Sequence, residues 1–172
     1  MPFPGDLNDP ALRSRAVKAA RGLAPFDLLI EGGEVMDMVT GRTRRADVGL
    51  VGPLIANVHA PGDAQRDAHA RHDARGMTIV PGFIDTQLYA AAGVIFDELG
   101  ADAPDGDASA SKALAAVAER LPSYGVTSYC PALRSTSPAA YRRLLLRLRP
   151  WQPRRGAALL GCHLDGPFVT PP

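Results

Sequence analysis

Cysteine, aromatic residues and long apolar runs are all scarce in this sequence, and each scarcity removes a class of protein. Of 172 residues only two are cysteines and 6% are aromatic. Cys130 and Cys162 stand alone in apolar stretches, without the paired spacing of a zinc site, and are expected to pack as small buried hydrophobes. No stretch reaches the ~18 apolar residues of a membrane span. Residues 1–10 hold no Lys or Arg and no apolar core, so no ordinary signal peptide is expected there, and a soluble, cytoplasmic protein is the expectation. The phosphate-cradling patterns G-x-x-x-x-G-K-[ST] and G-x-G-x-x-G are missing, as is the G-x-S-x-G elbow of many serine hydrolases.

A dominant charge sign is lacking too. The formal net charge is +1, which implies no strongly charged partner. The balance conceals a segregation, because residues 81–110 carry six acidic side chains and no basic one, whereas 111–172 carry nine basic and two acidic. No aromatic residues interleave with the arginines, so solvated helix faces are expected and a nucleic-acid surface is not. With 46% hydrophobic and 22% charged residues, the chain has the composition of a folded globular protein.

The apolar pattern changes period along the chain. Residues 11–22 read as a short helix stopped at Gly22. Short apolar runs at 27–30, 34–39, 46–51, 54–58 and 77–80, separated by Gly32-Gly33, Thr40-Gly41 and Gly52-Pro53, predict β-strands joined by turns. The polar stretch 61–76 reads as a connection. From residue 81 the order becomes strand (83–88), helix, strand (126–130), helix, strand (157–164). Leu114, Val117, Ala118 and Leu121 mark one helical face, with Ser109 or Ser111 as its cap, and Tyr141, Leu144, Leu145 and Leu148 mark the other. Such βαβ repeats predict a parallel sheet. The expected organisation is a helical segment over 1–24, a partial β-sandwich over 25–80, and a β/α region over 81–172.

Parallel α/β folds place their working residues at the carboxyl ends of strands. There the sequence offers Asp85, Gln87, Tyr89, Cys130, His163 and Asp165. His163 and Asp165 are i and i+2 and share a strand face, where an imidazole and a carboxylate could bind a metal, transfer a proton or form a satisfied buried pair. Asp85 reads first as a turn hydrogen-bonding residue. His59, His69 and His72 fall in or beside the polar connection and read as solvent-exposed histidines.

Taken together, the strand-rich start, the turn Asp73-Ala74-Arg75-Gly76 and the run Pro81-Gly82-Phe83-Ile84-Asp85 resemble the start of the barrel in the amidohydrolase superfamily. Within it, Gln87-Leu88-Tyr89, Gly93-Val94-Ile95-Phe96, Gly125-Val126-Thr127-Ser128 with Pro131, and His163-Leu164-Asp165-Gly166-Pro167 resemble N-acetylglucosamine-6-phosphate deacetylases. Residues 11–60 are more similar to the start of bacterial adenine deaminases. The resemblance implies an α/β fold, a small β-sandwich beside a partial (β/α)8 barrel of about three strands and two helices. It also implies a divalent metal, zinc or iron, with Asp165 at a metal-ligand position and Gln87, Tyr89 and His163 around the substrate, a small amino sugar phosphate.

The departures from the family patterns carry their own expectations. Adenine deaminases have His-x-His where Gln87 and Tyr89 stand. Deacetylases have Asn at the position of Tyr89, Glu at that of Asp165 and Thr at that of Ala132. Asp is one methylene shorter than Glu, about 1.5 Å of reach, against ligand tolerances of about 0.2 Å. A full barrel takes about 250 residues, so the histidine ligands and the general base are expected beyond residue 172. The chain alone is therefore expected to be inactive, as the first part of a metal-dependent amidohydrolase. The alternatives are a noncatalytic fragment that associates with itself or a complementing chain, or a remnant, and a relative of adenine deaminases or cyclic-amide hydrolases.

Overall fold

The computed structural model of the chain describes residues 9–62, 67–100, 106–148, 151 and 155–168; part of the acidic stretch, 101–105, lies outside the described residues. The architecture is α/β with open, unclosed mixed sheets and a few helices. It divides into two compact units that meet in sequence at Pro81 and Gly82.

In the first unit, helix α1 (Pro10–Ala20) starts where the Asp9 carboxylate accepts the Ala11 N–H at 2.9 Å, with Pro10 in the first turn where its missing N–H costs nothing. Its Ala16 and Ala19 are buried in one cluster with Phe26, Leu29 and Val51. Strands β1 (Phe26–Met36), β2 (Thr43–Val51), β3 (Leu54–His59), β4 (Ala68–Asp73) and β5 (Thr78–Ile79) form a sheet in the order β3-β2-β1-β4, with β5 also pairing with β1. The β1–β2 and β2–β3 pairs are antiparallel, and β4 and β5 run parallel to β1.

Two sequence expectations change in this sheet. Gly32 and Gly33 do not separate two strands; they sit within β1, at a register shift between Ile30 and Gly33. A bulge removes an N–H from the ladder, and the buried Asp47 carboxylate accepts that of Gly32 at 2.7 Å. A Cβ at Gly33 would lie 2.5 Å from Ile79 Cδ1, so the Ile79 side chain packs over the glycine and would have to move for a larger residue. The polar connection also contains a strand. Residues 68–73 form β4, at a sheet edge with most side chains exposed, so polar residues satisfy it and no apolar alternation reveals it.

The second unit is built around β9 (Val126–Leu133). Strand β6 (Phe83–Leu88) pairs with it on one side, and β10 (Ala158–Leu159) and β11 (His163–Leu164) pair with it on the other, all parallel. A short hairpin, β7 (Ala90–Ala91) with β8 (Val94–Ile95), follows β6. Helices α2 (Gly106–Arg120) and α3 (Pro138–Leu148) supply Leu114, Val117, Tyr141, Leu144 and Leu148 to a core shared with Phe96, Tyr129, Leu133 and Ala157. Because α2 begins at Gly106, Ser109 and Ser111 lie inside the helix and do not cap it; serine costs only about 0.5 kcal/mol in a helix interior. The expected third strand is divided into β10 and β11.

Gly156 precedes β10 with φ +89°, and an added Cβ would stand 2.1 Å from the Ala118 carbonyl oxygen. That carbonyl accepts the Ala157 N–H at 2.8 Å, tying the start of the third strand to α2. Among the described residues no helix is long and apolar enough to cross a membrane.

Candidate functional site

Strands β6, β9 and β11 run parallel and end on the same side, so the residues at their carboxyl ends are brought into one neighbourhood. Tyr129 points into the helix-side core, and its register partner Leu159 packs there, as does Leu88, which pairs with Pro131. Side chains alternate along a strand, which places Gln87 and Tyr89 on the opposite face. His163 stands in register with Ala132, whose small side chain lets groups from β6 and β11 meet across β9.

Four residues singled out from the sequence form one hydrogen-bonded network there. The Tyr89 hydroxyl donates to Asp165 Oδ2 at 2.9 Å and accepts from Gln87 Nε2 at 3.0 Å. His163 Nε2 lies 3.2 Å from Asp165 Oδ1 and 3.4 Å from Gln87 Nε2. These two contacts need opposite states of one nitrogen. With a proton on Nε2 the ring donates to Asp165; without one it accepts from Gln87. The hydrogen bond to Asp165 is the main cause holding the Tyr89 phenol above its ordinary pKa, followed by desolvation and the Asp165 charge, so Tyr89 serves as a neutral donor. The Asp165 backbone N–H donates to the Leu133 carbonyl at 3.0 Å, which fixes the chain beyond β11.

Arg134 and Asp97 extend the site and were not identified from the sequence. The Arg134 guanidinium sits 5.5 Å from the Tyr89 ring centroid and pairs with Asp97 Oδ2 at 2.8 Å, while Asp97 Oδ1 accepts the Arg134 N–H at 3.0 Å. Arg134 directly follows β9, so the rule that found Gln87 and His163 applied to it as well.

The other candidates fall elsewhere. Asp85 accepts the Gln87 N–H at 3.0 Å, a local turn bond. His69 and His72 lie on the exposed strand β4, and His59 is buried at the end of β3. Cys130 and Cys162 are free thiols, half-buried where full burial was expected; burial and then Cys130 push the Cys162 thiol up to about 11.

A zinc ion takes three or four converging protein ligands in most sites. Among the described residues no three His, Cys, Asp or Glu side chains converge. Asp165 Oδ2 accepts the Tyr89 hydroxyl, and Oδ1 faces His163 Nε2. The described residues therefore do not form such a site, and those at Asp165 are organised for hydrogen bonding.

This parallel β/α sheet, joined in sequence to a mixed β-sheet unit, shares its fold with solved deacetylase structures. Its likeness to N-acetylglucosamine-6-phosphate deacetylase structures is direct: that from Pasteurella multocida matches with a TM-score of 0.63 and 20% identity, over 83% of this chain and 35% of that one. The Mycobacterium smegmatis structure matches with a TM-score of 0.56 and 23% identity, over 84% of this chain and 34% of that one.

In sequence, the chain is 55% identical over 92 residues to Adenine deaminase 2 of Rhizobium johnstonii, covering 54% of this chain and 15% of that protein. It is 37% identical over 110 residues to the N-acetylglucosamine-6-phosphate deacetylase of Mus musculus, covering 63% of this chain and 25% of that protein. The chain thus spans a quarter or less of the length of these curated relatives. No family model matches it.

Proposed function

We propose that this chain is a noncatalytic relative of adenine deaminases on an amidohydrolase scaffold, with a hydrogen-bonding site for a small polar molecule at the carboxyl ends of β6 and β11. The observation that carries the reading is the Tyr89–Asp165 hydrogen bond of 2.9 Å, which commits the carboxylate that the family resemblance assigns to a metal. The resemblance assigns two histidines of adenine deaminases to the positions of Gln87 and Tyr89, so on this reading the kinship extends to the scaffold and not to that ligand pair. Activation of water at a metal has no place in this arrangement. What the side chains offer is a neutral phenol, an amide and an imidazole, each able to donate or accept within about 3 Å.

The test is direct. The purified 172-residue chain, supplied with Zn(II) or Fe(II), is given adenine or N-acetylglucosamine 6-phosphate, and ammonia or acetate is measured. Neither product is expected above the metal-only blank. Turnover of either substrate that disappears with Asp165→Asn refutes the reading.

A second reading, a deacetylase-type sugar site that works within a longer protein, is favoured by Gln87 and by the segment His163-Leu164-Asp165-Gly166-Pro167. It requires the acetamido sugar phosphate to perturb the His163 ring resonances in an NMR titration while adenine does not.

A further inference from the structure

We infer that the Tyr89 hydroxyl stands in the place of a cation at Asp165 Oδ2 and blocks that carboxylate from divalent metals. The inference deepens the noncatalytic reading above and rests on it. The hydroxyl bridges the Gln87 amide and Asp165 Oδ2 at 3.0 and 2.9 Å, while the other carboxylate oxygen faces His163 Nε2 at 3.2 Å. An ion bound by this carboxylate and imidazole would have to lie about 2.0–2.2 Å from each donor atom. The phenol already engages Oδ2 from the β6 side, so an ion on this carboxylate would have to displace it or take Oδ1 alone.

Tyr89 is also held in place from outside. Arg134 lies against its ring, 5.5 Å from the centroid, and Arg134 is anchored to Asp97 through both its side chain and its backbone N–H. Rotation of the phenol away from Asp165 would break two hydrogen bonds and separate the ring from the guanidinium. Net hydrogen bonds of this kind contribute about 0.5–1.5 kcal/mol each, and those to charged groups more. The closed arrangement is thus supported from three sides by side chains of this chain alone.

Replacing the phenol with an imidazole reverses the chemistry. Tyr89→His removes the O–H that satisfies Asp165, shortens the side chain so that space opens beside the carboxylate, and places a third metal-binding group near Asp165 and His163. Tyr89→Phe removes only the bridging hydroxyl.

The full chain and these variants are titrated with Zn(II) by calorimetry and with Co(II) by visible absorption, with circular dichroism as the check on folding. Asp165→Asn and the double variant Tyr89→His/Asp165→Asn separate this site from metal bound at His59, His69 or His72. The expected result is no Asp165-dependent binding in the unsubstituted chain, and a site at least tenfold tighter in Tyr89→His that the double variant loses. If Tyr89→His fails to fold, Tyr89→Phe is expected to show a gain in the same direction. Asp165-dependent metal binding by the unsubstituted chain overturns the inference. So does the absence of any Asp165-dependent gain in the folded Tyr89 variants. Failure of the noncatalytic reading registers separately, as ammonia or acetate released by the unsubstituted chain.

Discussion

Tyr129→Phe is expected to stabilise this protein, the reverse of what deleting a tyrosine hydroxyl does when that hydroxyl is paired. Tyr129 is fully buried on β9, with its ring 6.2 Å from that of Phe96, and its hydroxyl has no hydrogen-bond partner among the described residues. A buried unsatisfied polar group costs about 1–3 kcal/mol. Phenylalanine keeps the ring, its packing and its apolar area, so the variant should recover about 1–2 kcal/mol of that cost. Urea and thermal unfolding followed by circular dichroism measure it, with a rise in Tm of several degrees expected.

The same residue sets an alkaline limit. Burial is the first cause and Cys162 the second in pushing the phenol well above its ordinary value of 10.0. Above pH 10 the unfolded chain releases this proton while the folded chain retains it. Stability is therefore intact below pH 10 and declines above it, with a slope of about 1.4 kcal/mol per pH unit from this group. Tyr129→Phe should flatten that part of the curve. A variant less stable by about 1 kcal/mol or more, with the alkaline decline unchanged, would refute the assignment of an unpaired buried hydroxyl.

Two further outcomes follow from local geometry. Gly156→Ala places a Cβ 2.1 Å from the Ala118 carbonyl at a φ of +89°, so urea unfolding should register a loss of about 1–3 kcal/mol or more. Asp73 is held at about 2, below its ordinary 3.8, first by the Arg75 side chain and then by the Arg75 backbone N–H; carboxyl NMR titration should find it there, and Arg75→Ala should raise it toward the ordinary value.

Apolar periodicity made most elements of the fold legible, and it failed where tertiary pairing replaced it. Leu114 and Val117 lie on the buried face of α2, with Leu121 buried just past its end, and Tyr141, Leu144 and Leu148 lie on that of α3, because burial of one helical stripe writes itself into the sequence. Strand β4 left no such mark. Its residues Ala68 to Asp73 pair with β1 through the backbone while their side chains stay mostly exposed, a condition that any polar sequence can meet. The two glycines inside β1 misled for a related reason. Gly-Gly usually signals a turn, yet here one glycine N–H is satisfied by Asp47, fifteen residues away in sequence, and the other glycine makes room for Ile79.

At the site, spacing carried the location and not the chemistry. The i, i+2 relation gave His163 and Asp165 a shared strand face, and the positions of all four residues at strand carboxyl ends gave them one end of the sheet. Nothing in that spacing states that Tyr89 reaches across β9 to Asp165, because the reach depends on two long-range conditions. One is the small side chain at Ala132, which stands in register with His163 between the two outer strands. The other is the register shift between Asp85 and Leu88, which turns Leu88 into the core and leaves Gln87 and Tyr89 facing the network. A one-residue change in that shift would exchange the two faces of β6. Gln87 and Tyr89 would then point toward the helices, and Asp165 would lose the hydroxyl that satisfies it. The hydrogen-bonding character of the site is thus a property of strand register as much as of residue identity.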